Sequence, residues 1–478
     1  MMDYEIVVGL EVHAELSTQS KIYCSCKNEF GAQVNTRCCP ICTGLPGTLP
    51  TLNKKVVESA ARMGYALNCS INRICKQDRK NYFYPDLPKA YQISQFDVPL
   101  CEHGFVDVLF NGSEKRIGIT RIHIEEDAGK LLHGDSFSGS LVDFNRCGVP
   151  LIEIVSEPDM RCAAEAKAYL DTIKAILECL DISDCKMQEG SIRCDVNVSV
   201  RPMGSKVLGT RCEMKNVNSF NGASHAIECE AKRQIEIIEN GGVIVQETRR
   251  WDDDKGMSFT MRSKEDAQDY RYFPEPDLRT IVLEEEYLKL LAASIPELPN
   301  KKRIRYMNEY GLSEFDAGLL TENLDKANFF EECTAKGLVQ PKNLANWLMG
   351  DVTRSLNEKN ISLKDSSLTP AKIVRLVELI EKGIISNTAG KTVLEEIFAT
   401  GGEPEDIVRE KALSQVSDTA ELEAIVKKVL LDNQKSVADY RGGKSNAAGF
   451  LVGQCMRASA GKANPQMIRE LLIRLLEE

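Results

Sequence analysis

No stretch of this 478-residue chain approaches the roughly 20 uncharged apolar residues that a membrane span needs, so no membrane-spanning segment is expected. The start, Met1-Met-Asp-Tyr-Glu-Ile-Val-Val8, lacks a basic region, a long apolar region and a small-residue cleavage site. Secretion is therefore not expected, and a cytoplasmic address is. An even, framework-like set of cysteines is missing too. The 17 cysteines are an odd count scattered along a long chain, which implies free thiols and one metal site rather than a disulfide scaffold. Excess basic charge is also absent. A formal net charge of −11 excludes a protein that coats nucleic acid by bulk charge, while leaving room for a local basic face on an acidic body.

What is present reads as globular, with 43% hydrophobic and 27% charged residues. The length exceeds one ordinary core, so two or three domains are expected. From Ile6 to Leu16 apolar residues alternate with polar ones, sending Val8, Leu10, Val12 and Ala14 to one face and Glu11, His13 and Glu15 to the other. In Gly118 to Lys130, Ile122 and Ile124 alternate with Arg121, His123 and Glu125. Glu126 then falls on the isoleucine face, where an ionised carboxylate is costly unless a cation or donor set receives it. Glu153 interrupts the apolar run Leu151 to Val155. Arg193, Asp195 and Asn197 share a face in Ile192 to Val200, as do Arg211, Glu213 and Lys215 in the next strand. If these strands are neighbours in one antiparallel sheet, their acids converge. Converging acids cannot all ionise without cations, so oxygen-ligated magnesium is the natural compensation, with His13, Arg193, Arg211 or Lys215 adding charge or donors. The plainer alternative is a set of half-buried strands with a solvated acidic face.

Cys24-Ser-Cys26 and Cys39-Pro-Ile-Cys42 form two close pairs a short loop apart, the arrangement of a tetrahedral zinc site. Four thiolates leave no open position, so such a zinc would be structural. Inert buried thiols are the alternative. Asp78 to Lys89 mixes aromatic and basic residues with two prolines. It is either a domain-capping loop or a cationic lip for phosphate, with Lys80 and Lys89 as candidates. Beyond about residue 295 strand signals fade and capped helices take over, such as Glu314 to Leu320 after Ser313 and the helix opened by Thr369-Pro370. The expected architecture is α+β: an antiparallel-sheet cradle domain over 1–294, a helical domain over 295–404 and a small helical tail domain over 405–478. In the tail, Gly-Lys-Ser ending at Ser445 invites a phosphate-loop reading. That pattern needs glycine where Ala438 stands, so the reading is rejected. Arg441, Lys444, Arg457 and Lys462 suit contact with nucleic-acid phosphates, and a solvated basic face on a helical bundle explains them equally well.

Several motifs are long enough to carry a resemblance. They include Gly9-Leu-Glu-Val-His-Ala-Glu-Leu16, the two cysteine pairs, Asn81-Tyr-Phe-Tyr-Pro-Asp-Leu-Pro-Lys89, Arg121-Ile-His-Ile-Glu-Glu-Asp-Ala-Gly129 and Asp269-Tyr-Arg-Tyr-Phe-Pro-Glu-Pro-Asp277. With them the chain resembles, over its whole length, the B-subunit family of aspartyl/glutamyl-tRNA amidotransferases. Cys147 and Cys212 depart from the family pattern, standing where Thr or another small residue is expected. The resemblance implies that ATP phosphorylates the side-chain carboxylate of Glu-tRNA(Gln) or Asp-tRNA(Asn), and that ammonia then displaces the phosphate. It makes Glu11, His13, Glu126, Glu153, Asp195 and Glu213 catalytic candidates. Its candidate magnesium ligands are Glu11, His13, Glu125, Glu126 and Glu213, with Lys80, Arg193 and Lys215 on phosphate or substrate carboxylate. Zinc would sit on Cys24, Cys26, Cys39 and Cys42. No amidase serine signature or glutaminase cysteine motif is evident, so ammonia is expected from a glutaminase A subunit, with a C subunit wrapping both. The tail, through Arg441, Lys444, Arg457 and Lys462, would hold the tRNA.

Overall fold

The computed structural model describes residues 3–133, 139–263, 269–414, 419–441, 446–459, 463 and 465–477. The chain divides into two compact units, Met1–Lys302 and Arg303–Glu478. The division lies beyond the 294/295 position expected from the prolines. Pro299 opens the helix Pro299–Tyr310 instead of a linker, and Asn300 still binds the first unit by donating to the carbonyl of Asp107 at 2.5 Å.

The first unit is built on nine strands: β1 (Tyr4–Glu15), β2 (Ser70–Ile71), β3 (Cys101–Phe110), β4 (Ser113–Glu126), β5 (Pro150–Ser156), β6 (Ile192–Pro202), β7 (Cys212–Val217), β8 (Glu247–Asp252) and β9 (Met257–Ser263). Their order across the sheet is β9-β8-β7-β6-β1-β5-β4-β3-β2. All pairs are antiparallel except β7 with β8. The chain's first strand therefore sits near the middle, flanked by β5 and β6. Register aligns His13 with Glu153 and Arg193, Glu11 with Asp195, and Glu153 with His123.

Period-two alternation then sorts the side chains. Val8, Leu10, Val12, Ile122, Ile124, Ile152, Ile154, Val196 and Val198 are buried together with α1 (Lys54–Ala66), α2 (Ala163–Cys179) and α3 (Phe220–Glu239). Each fully buried Val, Leu or Ile contributes roughly 1.5–3 kcal/mol, so this face fixes the register from which the polar face hangs. Asn53 starts α1, its side chain accepting from the amide of Lys55, and Val56, Ala60 and Met63 point into the core.

The second unit is helical and has two cores. One gathers residues from Tyr306 to Val408, the other residues from Leu422 to Leu476. Ile407 and Val408 belong to the former, so the helix Pro404–Glu410 goes with the preceding helices and not with the tail, where a 404/405 division had placed it. No described helix is long and apolar enough to cross a membrane.

Candidate active site

The polar face of the sheet carries two groups of potential metal ligands, set two residues apart on β1. In the first, ligand atoms of Glu11, Asp195 and Glu213 lie within 4.8 Å of one another; in the second, those of His13, Glu125 and Glu153 do. Three strands supply the first group and three the second, and β1 belongs to both. Around the first, the Asn197 amide donates to Glu11 at 3.0 Å. Lys215 Nζ bridges Asp195 at 2.5 Å and Glu213 at 3.0 Å, and the Thr248 hydroxyl donates to Glu213 at 2.8 Å. In the second, Glu153 lies between two imidazoles, 3.3 Å from His13 Nε2 and 3.2 Å from His123 Nε2. Glu125 is 3.6 Å from each.

The charge balance of the two groups differs. Burial raises the pKa of Glu11, and Glu153, Asp195 and Glu213 raise it further against the opposing Asn197 hydrogen bond. Burial works against the Lys215 ammonium, but Asp195 and Glu213 outweigh it and its pKa rises. In the second group burial opposes charge on His123, yet Glu153 and Glu125 lift its pKa to about 9; His13 is raised in the same way. Burial would raise Glu153, but the two imidazoles hold it well below the usual carboxylate range. Without a metal, protons on histidine neutralise the second group, whereas Glu11 meets no ammonium or guanidinium among the described residues. The all-carboxylate first set fits a hard divalent cation such as magnesium. The second, one imidazole with two carboxylates, fits magnesium or manganese.

Farther along β1, Arg193 Nη2 donates to Asp127 at 2.7 Å, and Arg146 Nε lies 3.5 Å from the same carboxylate. Burial and then Asp127 push the pKa of Glu15 up to about 8. Arg193 is thus on the site's face, held by an acid that sequence reasoning had not singled out. Tyr82 and Tyr272 were missed as well. Burial raises both hydroxyls, and the charge of Glu125 raises them further. Tyr272 stacks on Phe96 at 4.2 Å, and Tyr270 meets Tyr82 edge-on at 5.8 Å. Lys80 Nζ stands 4.9 Å from the Tyr270 ring centroid, so this lysine is part of an aromatic strap rather than of either acid group. The signal for the strap lay in the two aromatic motifs around residues 82 and 271, which pair through the strands Asp78–Asn81 and Phe273–Pro274.

Glu126 is the candidate that the structure does not bring to either group. Strand alternation turns it away from Glu125, and its carboxylate accepts from the ammonium of Lys89 and, at 2.9 Å, from the amide of Ile93. Side-chain exposures of 3% for Glu126 and 9% for Lys89 make this a buried pair. It borders a small cavity of about 200 Å³ whose opposite wall is the cysteine loop with Cys24, Cys42 and Gly44. Lys89 is therefore an ion-pair partner here, the structural reading of the two left open for its segment, and not part of a phosphate lip.

In that loop the sulfurs of Cys24, Cys26, Cys39 and Cys42 lie within 4.8 Å of one another, with Cys39 and Cys42 Sγ 3.9 Å apart. A tetrahedron with Zn–S bonds of about 2.3 Å has edges of about 3.8 Å, so the spacing fits zinc. Cys38 is outside the set, its thiol donating to the carbonyl of Asn35. A hydrogen bond from Cys24 is the largest influence drawing the Cys42 thiol down to about 5, with the Lys21 ammonium assisting. Lys21 is only 1% exposed, donates to the carbonyl of Cys147 at 2.6 Å and stands 3.9 Å from Cys42 Sγ.

In the tail, Arg441 and Arg457 are exposed, and Arg441 Nε donates to the carbonyl of Leu476 at 3.1 Å. Lys444 and Lys462 lie outside the described residues.

Comparison with known proteins adds the family. Residues 6–289 match the GatB/GatE catalytic domain, and residues 328–476 match the GatB domain. Over 480 residues the chain is 58% identical to the B subunit of the aspartyl/glutamyl-tRNA(Asn/Gln) amidotransferase of Caldicellulosiruptor bescii, covering 100% of both chains. The protein of the same name from Thermoanaerobacter pseudethanolicus is 57% identical over 471 residues, 98% of this chain and 99% of its own. That of Clostridium botulinum is 52% identical over 472 residues, 98% of each. The first unit, with its acid-lined sheet, is thus the part matched by a catalytic-domain model, and the chain belongs to the family of aspartyl/glutamyl-tRNA(Asn/Gln) amidotransferase B subunits.

Proposed function

We propose that the polar face of the sheet activates the side-chain carboxylate of Glu-tRNA(Gln) or Asp-tRNA(Asn) with ATP and then converts it to the amide. The observation that carries this reading is the pair of ligand groups, Glu11/Asp195/Glu213 and His13/Glu125/Glu153, side by side on β1. A carboxylate oxygen is a poor leaving group, so it must first leave as phosphate. The substrate oxygen attacks the γ-phosphorus as the bond to ADP breaks. Ammonia nitrogen then attacks the acyl carbon, and phosphate departs carrying the proton that the nitrogen loses. A divalent cation such as magnesium at these groups would offset the repulsion between the carboxylate and the phosphates.

The chain's own residues bind and orient. Lys215, which lies between Asp195 and Glu213, would meet a phosphate oxygen, and Arg193, which is held by Asp127, would receive the substrate carboxylate. His123 and His13 hold Glu153 in position. Lys80 acts through the aromatic strap. Cys24, Cys26, Cys39 and Cys42 would hold a structural zinc, which would pin the loop that walls the Lys89–Glu126 cavity. A glutaminase A subunit supplies ammonia in a cytoplasmic complex completed by a C subunit. The helical second unit holds the tRNA, with Arg457 in the tail as one phosphate contact.

The test uses the complex assembled with its A and C partners, given each mischarged tRNA in turn. Release of the ATP γ-phosphate should require mischarged tRNA, and amide should form with either glutamine or an ammonium salt. Amide formation without ATP, or with wild-type efficiency after Glu125→Gln, would sink the assignment.

A further inference from the structure

A cavity of about 610 Å³ opens beside the first turn of α1, and none of the ligands of the two acid groups lines it. Two segments form its walls. One is Pro50 to Lys54, which leads from the cysteine loop into α1; the other is Asp277 to Glu284, which leads from the aromatic strap through the short strand Ile281–Val282 into the helix Glu285–Ala293. Pairing of that strand with Ile74–Cys75 turns Ile281 and Leu283 into the core, at 7% and 6% exposure, so the second wall is fixed. Pro50 also lines the cavity of Lys89 and Glu126. The two cavities therefore share one chain segment.

Leu52, Val57, Leu278 and Tyr287 give this space an apolar lining, and its volume falls within the roughly 300–1,000 Å³ of small-molecule sites. Each wall adds one cation, Lys54 from the first and Arg279 from the second. Neither forms an ion pair among the described residues; the Lys54 ammonium stands 5.0 Å from the centroid of the Tyr287 ring. The acids of the lining do not answer them. Asp277 is held by Arg79 at 3.2 Å, and Glu284 is the N-cap residue of its helix, whose positive end offsets it. A neutral apolar ligand would leave both cations unmatched, and a compact anion would leave the apolar lining in water. A ligand with both parts satisfies both.

We propose that this cavity binds a small amphipathic carboxylate, in the class of medium-chain fatty acids, with its head on Lys54 and Arg279 and its chain among Leu52, Val57, Leu278 and Tyr287. Because the head takes one cation from each wall, occupancy ties the exit of the cysteine loop to the exit of the aromatic strap. The bound carboxylate thus gains a hold on two segments whose other ends carry the zinc cysteines and the strap tyrosines. No residue of the acid groups takes part, so the proposal stands independently of the reaction above.

Equilibrium dialysis of decanoate, octanoate and decanol against the full chain, alone and assembled with its A and C partners, tests the proposal without turnover. Decanoate should saturate a single site per chain. Each buried methylene strengthens binding roughly fourfold, so octanoate should bind about fifteenfold more weakly. Decanol lacks the charge and should bind at least about tenfold more weakly. Lys54→Gln and Arg279→Gln should each weaken decanoate by about tenfold while leaving decanol binding and melting unmoved, since both side chains are exposed. Amide hydrogen exchange at residues 51–57 and 277–284 should slow when decanoate is bound. Absence of saturable binding, unchanged decanoate affinity in either variant, or protection confined to other segments overturns the proposal. So does loss of decanoate binding on assembly, which would mean that a partner subunit covers the cavity.

Discussion

Glu125 and Glu126 are adjacent in sequence and belong to two regions with opposite electrostatics. Glu126 faces the cavity under the cysteine loop, where it has an ammonium of its own and a backbone donor. Glu125 faces the open side of the sheet, among Glu153, His13 and His123 and next to the Glu11 group. Under the loop each anion is matched by a buried lysine: Lys89 for Glu126, Lys21 for the Cys42 sulfur. On the open face the protonated imidazoles of His13 and His123 answer Glu125 and Glu153, a charge that can be given up to a metal, while burial and neighbouring acids raise Glu11. A buried acid already matched by a fixed cation contributes to structure, whereas an acid that must wait for a cation marks a site.

The widest gap between the regions should appear on neutralising one acid in each. Glu11→Gln should cut ATP-dependent phosphorylation of mischarged tRNA by about 10³-fold, the effect of several kcal/mol of lost charge stabilisation. The metal-free variant should melt no lower than wild type, because it removes repulsion from a raised carboxyl. Glu126→Gln should instead lose roughly 3–5 kcal/mol of stability by leaving Lys89 buried without its partner, and replacing both residues by Met should restore much of it. Urea unfolding of the three proteins decides. Equal stability of Glu126→Gln and wild type would erase the distinction drawn between the regions.

A pH effect sharpens the comparison on the open face alone. His123 stands near 9 in the fold against 6.5 in the unfolded chain. A raised histidine contributes stability that is complete below about 6.5 and is lost as pH climbs through 9, a total on the order of 3 kcal/mol. Chelator-treated protein should therefore lose stability between pH 6.5 and 9 relative to a His123→Gln variant. Divalent cation should flatten the difference by taking the place of the proton. A constant difference across that range would show that His123 is neutral in the fold.

The matched region predicts a smaller effect at the cysteines. Lys21→Met removes the buried ammonium beside Cys42 while keeping the apolar stem, and should weaken zinc binding by about 10–100-fold, the usual consequence of losing a partner behind the ligands. Competition with a chromophoric chelator measures this directly. Unaltered affinity would mean that the carbonyl of Cys147 is the lysine's real partner.

How much of this was readable in advance follows from what alternation encodes. The period of two in Ile6 to Leu16 places Glu11 and His13 on one face and the core on the other, as the structure has it. The same rule put Glu126 on the isoleucine side, apart from Glu125. Grouping Glu126 with the face acids followed the family resemblance over that rule, and the Lys89 that answers it comes from a segment 37 positions away. The cysteine set was visible because its ligands are close in sequence. The two aromatic motifs of the strap were visible, but their meeting was not: Asn81 meets Tyr270 and Arg271 across about 190 positions, and no local pattern specifies such a pairing. His123 was on the correct face in the alternation, but its contact with Glu153 depends on the β5–β4 register, which only the fold supplies.

The smallest expected effect concerns the tail, where a few exposed cations stand on an acidic protein. Arg457, near the end of the helix Asn446–Ala458, is exposed, so Arg457→Ala should leave the fold intact. If it touches a phosphate of the tRNA, its loss should weaken binding a few-fold and lower the slope of log affinity against log salt by about one. Arg441 differs in kind. Its guanidinium donates to the Leu476 carbonyl, in the last turn of the helix Pro465–Glu477, where carbonyls have no partner within the helix. Arg441→Ala should therefore lower tail stability by about 1 kcal/mol as well as removing a charge. Arg441→Lys keeps the charge and loses the planar fork, so its effect on tRNA affinity at fixed salt separates the two roles. Salt slopes unchanged in all three variants would place the tRNA contacts of this chain elsewhere than on these arginines.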